Sequence, residues 1–138
     1  MLRSQRSPRR GMTIIEVLFA LVILSGVMLA LSRFGTEFSK ATRNAANLAI
    51  ASDLAAGRVQ VVRGHAKYTT LVSKYHGTSE TSGSTTANPS MSDYAGYTRT
   101  TKAVRTTSDT LDYITVTVTV TSSVLKVPMT KSAVVVRQ

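Results

Sequence analysis

The sequence contains no cysteine and only three prolines among its 138 residues. Without cysteine, neither a disulfide bond nor a thiolate zinc site can reinforce the fold. No proline lies between Met12 and Arg63, so one uninterrupted helix is allowed over that range. A chain of this length supports one small domain with a modest core. The remaining sources of stability are packing of helix on sheet and contacts with neighbouring subunits.

Acidic residues are also scarce, with seven against seventeen basic residues and a net charge of +10. Such an excess first points to nucleic acid. However, four arginines precede Gly11, and the chain without residues 1–11 carries thirteen basic and seven acidic residues, a net charge of +6. No comparable basic cluster follows Leu31 directly. The positive-inside rule therefore predicts a cytoplasmic N-terminus and a C-terminal part on the other side of the membrane.

Residues 12–31 form an apolar run of twenty residues with one ionisable side chain, Glu16. At about 1.5 Å per residue, this run spans a bilayer core of roughly 30 Å. A carboxylate in such a segment costs on the order of 2.5 to 3.5 kcal/mol. Arg10 and Arg33 are too distant along the helix to neutralise it. Glu16 therefore requires a partner from elsewhere.

Two simpler interpretations of residues 1–31 remain open. A secretory signal has an apolar region of about 7 to 15 residues followed by a small-x-small cleavage site. Here the run is longer, contains Glu16, and is followed by residues 30–34 without a convincing cleavage triplet. A plain single-pass signal anchor fits the length but leaves the carboxylate unexplained. Both are less favoured for these reasons.

Residues Gly11-Met12-Thr13-Ile14-Ile15-Glu16-Val17-Leu18, preceded by Arg9-Arg10, resemble the class III signal of type IV pilins and type II secretion pseudopilins. In that family, a glycine precedes the cleavage site and a glutamate is fifth in the mature chain. Glu16 is fifth when Met12 is first. Met12 departs from the usual phenylalanine, a variation that the family tolerates.

The resemblance implies cleavage by prepilin peptidase between Gly11 and Met12, N-methylation at Met12, and assembly through Glu16. The new Met12 amine would pair with Glu16 of an adjacent subunit in apolar surroundings. The implied partners are prepilin peptidase, other pilin or pseudopilin subunits, the inner-membrane assembly platform and membrane lipid. No enzymatic activity, cofactor or metal is expected. The implied location is the bacterial inner membrane, single-pass, or a filament anchored there.

Beyond Leu31, small and apolar residues recur at alternating spacings of three and four residues, which predicts an amphipathic helix that ends near Gly64. A continuous helix of about 50 residues would be about 75 Å long. The predicted organisation is a removed leader at 1–11, a transmembrane half-helix at 12–31, an amphipathic half-helix at 32–64, a variable αβ loop at 65–93 and an antiparallel sheet at 94–138.

Strands are predicted at Tyr94–Thr107, Tyr113–Thr121 and Met129–Val136, a meander of about three. The second has the clearest period of two, which places Ile114, Val116, Val118 and Val120 on the face toward the helix. His76–Asp93 is predicted to be a long exposed loop. These elements predict the α+β class, a long N-terminal helix packed on a small sheet, and the resemblance implies that the fold is type IV pilin-like. The terminal Val/Thr hairpin is most similar to minor pilins of the PilV type and I-class pseudopilins.

Other chemistry finds little support. The only histidines, His65 and His76, lack the spacing of a nucleophile and its base, so neither is a catalytic candidate. Asp109 and Asp112 could offer oxygens to calcium, but no ligand-rich loop surrounds them. Turn capping is the favoured role for this pair.

The alternative function is a single-pass membrane-anchored binding module whose basic head binds DNA or an exported protein. The residues concerned are Arg99, Lys102, Arg105, Lys126, Lys131, Arg137, Tyr94 and Tyr97. The first three are spaced by three, so they alternate between the faces of a strand and form no single stripe. A solvated basic surface is therefore the preferred interpretation, and DNA is the less favoured partner.

Overall fold

The computed structural model describes residues 13–137. Its elements, in chain order, are α1 (Ile14–Arg63), α2 (Tyr68–Tyr75), β1 (Thr78–Glu80), β2 (Tyr97–Thr107), β3 (Asp112–Ser122) and β4 (Met129–Val136). The chain divides between Ala41 and Thr42 into two compact units. The predicted α+β class is confirmed, since a long N-terminal helix packs on an antiparallel sheet.

The core of the second unit lies between the C-terminal part of α1 and one face of the sheet. Ala51, Ala55 and Val62 of α1 are fully buried there. Ala51 and Ala55 are four residues apart and therefore lie on the same face of the helix. The four β3 residues predicted to face the helix, Ile114, Val116, Val118 and Val120, are all fully buried, so this prediction is confirmed.

The strands form one antiparallel sheet in the order β1-β2-β3-β4. In the central register, Ala103 of β2 pairs with Val116, which pairs in turn with Ala133 of β4. The outward face is rich in threonine. The Thr117 hydroxyl lies 3.3 Å from the Ser132 hydroxyl. The Thr119 hydroxyl lies 3.3 Å from the Thr130 hydroxyl. Each such cross-strand hydroxyl pair stabilises the sheet by roughly 0.2–1 kcal/mol relative to a pair of alanines.

Segment 65–93 contains structure that the sequence analysis missed. The predicted exposed loop at His76–Asp93 is wrong in part, because β1 extends the sheet to four strands and Met91 is buried. The short helix α2 also lies in this segment and buries Leu71 and Tyr75. β1 consists of three polar residues and α2 of only two turns, so neither has a hydrophobic period long enough to predict it from the sequence. Tertiary contacts stabilise both elements.

Asp112 does not cap a turn, contrary to the sequence-based interpretation. Its carboxylate accepts two hydrogen bonds from Arg105, Nε to Oδ1 at 2.8 Å and Nη2 to Oδ2 at 2.6 Å. The Tyr68 hydroxyl donates a third at 2.8 Å. These bonds, led by those from Arg105, lower the pKa of Asp112 to about 2. The cluster ties α2 to the ends of β2 and β3.

This pKa predicts a pH dependence of stability. Because the folded-state pKa lies below the ordinary value of 3.8, the carboxylate stabilises the fold above about pH 4, and the effect is lost as the pH falls toward 2. Asp112→Asn should melt at a lower temperature than the wild type at pH 6, and the difference should shrink toward pH 2. Asp109→Asn, in the connection between β2 and β3, is the matched control. Equal melting temperatures for wild type and Asp112→Asn at pH 6 would contradict the prediction.

Candidate assembly segment and buried charge cluster

The first turn of α1 places Glu16 at the N-terminal end of the helix. The amides of Glu16 and Val17 donate to the Thr13 carbonyl at 3.1 and 3.3 Å. Glu16 is thus the third residue of the helix, where a negative charge interacts favourably with the helix dipole. Thr13 and Glu16 also have the spacing of a capping box, a signal that the sequence analysis missed. Gly11 and Met12 lie outside the described residues.

The segment that follows, residues 17–32, carries apolar side chains on every side of the helix. All residues from Ile14 to Ala41 are exposed, including Ile14 at 84%, Val22 at 70% and Phe34 at 68%. A water-soluble surface rarely carries so continuous an apolar area. The helix is long and apolar enough to cross a membrane.

The few polar side chains within this segment are bonded internally. Ser25 Oγ donates to the Leu21 carbonyl at 2.7 Å, and Ser32 Oγ donates to the Met28 carbonyl at 2.9 Å. Such bonds to the preceding turn satisfy a hydroxyl without water, as the bilayer core demands. Glu16, by contrast, is charged and forms no ion pair with another residue of the described range 13–137. It is the exceptional residue of the segment.

Polar character returns in the next turns of α1. Glu37 and Lys40 form an exposed ion pair at 2.9 Å, and Phe34 stacks on Phe38 with ring centroids 6.1 Å apart. An exposed pair at this spacing contributes roughly 0.3–0.5 kcal/mol. The first charged side chain after the apolar run is Arg33.

A buried cluster of charged side chains is the second candidate site. Glu80 lies between two guanidinium groups, with its Oε1 3.0 Å from Arg58 Nη2 and its Oε2 2.7 Å from Arg99 Nη2. The three side chains are 6%, 4% and 0% exposed, respectively. The assignment of Arg99 to a solvated basic surface is therefore wrong. Its place on the inward face of β2 brings it to the helix.

Backbone carbonyls complete this cluster, here called the Arg58–Glu80–Arg99 cluster. Arg58 Nη1 donates to the Asn88 carbonyl at 2.7 Å, and Arg99 Nη2 donates to the Pro89 carbonyl at 2.8 Å. Every buried side-chain nitrogen and oxygen of residues 13–137 has a partner. Burial lowers the pKa of Arg58, although Glu80 opposes this effect. The cluster fastens β1 and residues 88–89 to α1.

The remaining candidate residues serve structural contacts. His65 Nε2 lies 3.1 Å from Thr70 Oγ1, and His76 Nδ1 lies 2.6 Å from the Ala103 carbonyl oxygen. Tyr97 is buried and its hydroxyl donates to Asn47 Oδ1 at 3.4 Å, so its ring is not available to stack on a base. Within residues 13–137, no group of three His, Asp or Glu side chains could hold a metal ion.

An exposed apolar helix that carries one carboxylate in its first turn and continues into a small α+β head defines a pilin-like architecture. Residues 6–32 match the family model described as the prokaryotic N-terminal methylation motif. The chain thus carries the motif of type IV pilins and pseudopilins, and the predicted resemblance to that family is confirmed. The motif points to a structural subunit rather than to a known enzyme family. Searches of curated proteins and of solved structures gave no match.

Proposed function

We propose that the chain is the precursor of a minor type IV pilin or type II secretion pseudopilin. It inserts into the inner membrane with residues 1–11 in the cytoplasm, and prepilin peptidase cleaves it between Gly11 and Met12. Met12 is then N-methylated, and the subunit enters a filament, or primes its tip, for pilus biogenesis or protein secretion. The observation that carries the proposal is the position of Glu16, which lies within the residues that match the methylation motif and in the first turn of an exposed apolar helix.

The proposed mechanism depends on a change of charge at cleavage. Before cleavage, four arginines hold the leader on the cytoplasmic side, and Glu16 lacks a cation in its own segment. Cleavage removes those arginines and creates an amine at Met12. A neighbouring subunit can then place its amine beside this Glu16, where the pair is far more stable than either ion alone in lipid. Assembly thereby becomes favourable only for processed subunits.

The mass of the mature chain tests this proposal. Expressed with prepilin peptidase, the purified protein should begin at Met12 and carry one additional methyl group. Gly11→Leu should leave residues 1–11 attached, since the bulky side chain obstructs the backbone at the scissile bond. Ser7→Leu, within the leader but away from the cleavage site, is the matched control and should be processed normally.

Two outcomes would contradict the proposal. An intact leader on the wild-type chain would favour a single-pass anchored binding module, and cleavage beyond Leu31 would favour a secretory signal. The structure also weakens the alternative of a DNA-binding module, because several of its candidate residues are not free to contact DNA. Arg99 and Tyr97 are buried, and Arg105 pairs with Asp112.

A further inference from the structure

A polar cavity of about 400 Å³ opens beside the Arg58–Glu80–Arg99 cluster, between α1, α2 and β1. Its floor consists of buried side chains and its rim of exposed ones. Arg58, Tyr75 and Glu80 form the floor, and Lys74, Ser79 and Thr86 belong to the rim. All these residues lie within the second unit. The proposed assembly function makes no use of this cavity.

The cavity carries an excess of positive charge. In the cluster, two guanidinium groups share one carboxylate, which leaves one formal positive charge. The carbonyls of Asn88 and Pro89 accept hydrogen bonds from the cluster but have no formal charge to offset it. Lys74 adds a second positive charge and forms no ion pair within residues 13–137. Two positive charges therefore remain without a counterion.

Both cations at the cavity converge on the same aromatic ring. Arg58 Cζ lies 5.0 Å from the centre of the Tyr75 ring, and Lys74 Nζ lies 5.5 Å from it. The faces of an aromatic ring attract cations, so Tyr75 stabilises both positive charges at the cavity. Ser79 and Thr86 line the cavity at its rim, and Thr86 carries a hydroxyl that can donate a hydrogen bond. Fixed cations and hydroxyl donors are the groups that recognise an oxyanion.

We propose that this cavity binds a phosphate group, either as inorganic phosphate or as a phosphate monoester. A doubly charged phosphate matches the two unbalanced positive charges. Both Glu80 oxygens are already bonded to arginine, so the carboxylate repels the ligand less than a free one would. The volume exceeds that of phosphate alone and leaves room for an esterified group at the open side.

Titration of the full chain in detergent micelles with inorganic phosphate tests the proposal, with chloride holding the ionic strength constant. The amide nuclear magnetic resonance signals of Lys74, Ser79 and Thr86 should shift and saturate with phosphate. Lys74→Gln should weaken the apparent affinity about tenfold, the effect of losing one charge-assisted hydrogen bond. Lys102→Gln removes the same charge from an exposed position on β2 and should change nothing.

The ligands and controls separate the outcomes. Glycerol 3-phosphate binding at least as tightly as inorganic phosphate would identify a monoester as the ligand class, and weaker binding would identify free phosphate. If acetate shifted the same signals at the same concentration, the site would be a general anion site and the phosphate assignment would be wrong. Linear shifts without saturation, or equal effects of Lys74→Gln and Lys102→Gln, would overturn the site itself.

Discussion

Glu80→Gln is expected to lower the free energy of unfolding by about 3–5 kcal/mol, the usual cost of removing one partner from a buried ion pair. Glutamine fills nearly the same volume, so little packing is lost. It leaves Arg58 and Arg99, both almost fully buried, with no negative charge between them. The amide nitrogen of glutamine is a hydrogen-bond donor, and it would face one of the two guanidinium groups. Because a guanidinium group also has only donors, no hydrogen bond can form between them.

Urea denaturation followed by the near-ultraviolet circular dichroism of tyrosine measures this effect, because Tyr75 and Tyr97 are buried in the head. Glu37→Gln is the matched control, since it breaks an exposed pair with Lys40 and should cost less than about 1 kcal/mol. Arg58→Met should cost less than Glu80→Gln because it leaves the neutral Arg99–Glu80 pair. Equal losses for Glu80→Gln and Glu37→Gln would show that the buried cluster contributes no more than a surface pair.

Much of the fold could be predicted because its residues repeat with the period of their element. Alternation of valine and threonine identified β3 and its buried face, and β4 was predicted with the bounds that the structure has. The long helix could be predicted because no proline interrupts it and small residues recur along one side. In each case the signal is local, so neighbouring residues in sequence are sufficient to reveal it.

The Arg58–Glu80–Arg99 cluster could not be predicted in the same way. Its members come from a helix, a three-residue strand and a long strand, and each one alone resembles a solvated surface charge. Only the pairing of Glu80 with Arg99 across β1 and β2 brings the carboxylate and one guanidinium together. Arg58 then reaches both from α1. Long-range pairing determines which charges are buried, and a single sequence does not display it.

Glu16→Gln is expected to leave membrane insertion intact and to reduce the amount of this subunit in filaments at least tenfold. Glutamine is cheaper to bury in lipid than a carboxylate, so insertion should not suffer. Under the proposed function, the variant cannot neutralise the Met12 amine of its neighbour. Breaking such a pair costs about 3–5 kcal/mol, more than the 1.4 kcal/mol that a tenfold loss requires.

Immunoblots of sheared filaments and of membranes measure the two quantities separately. Glu16→Asp retains the charge and should assemble better than Glu16→Gln, whereas Glu37→Gln removes a charge from the same helix outside the apolar run and should assemble normally. The mass of each mature chain shows whether cleavage still occurs after Gly11. A processed Glu16→Gln subunit found in filaments at the wild-type level would refute the pairing mechanism.

Helix capping is another possible role for Glu16. Substitution by glutamine distinguishes this role from pairing with the Met12 amine. Glutamine in the third position of a helix completes a capping box with a preceding threonine as glutamate does, because its side-chain oxygen still accepts the backbone hydrogen bond. If Thr13 and Glu16 form such a box, Glu16→Gln removes the charge and keeps the cap, whereas Thr13→Val removes the cap and keeps the charge. If the carboxylate marks the register between subunits, Glu16→Gln should reduce assembly at least tenfold, whereas Thr13→Val should only weaken the first turn of α1. The reverse order would assign Glu16 to helix capping and leave the Met12 amine without a partner.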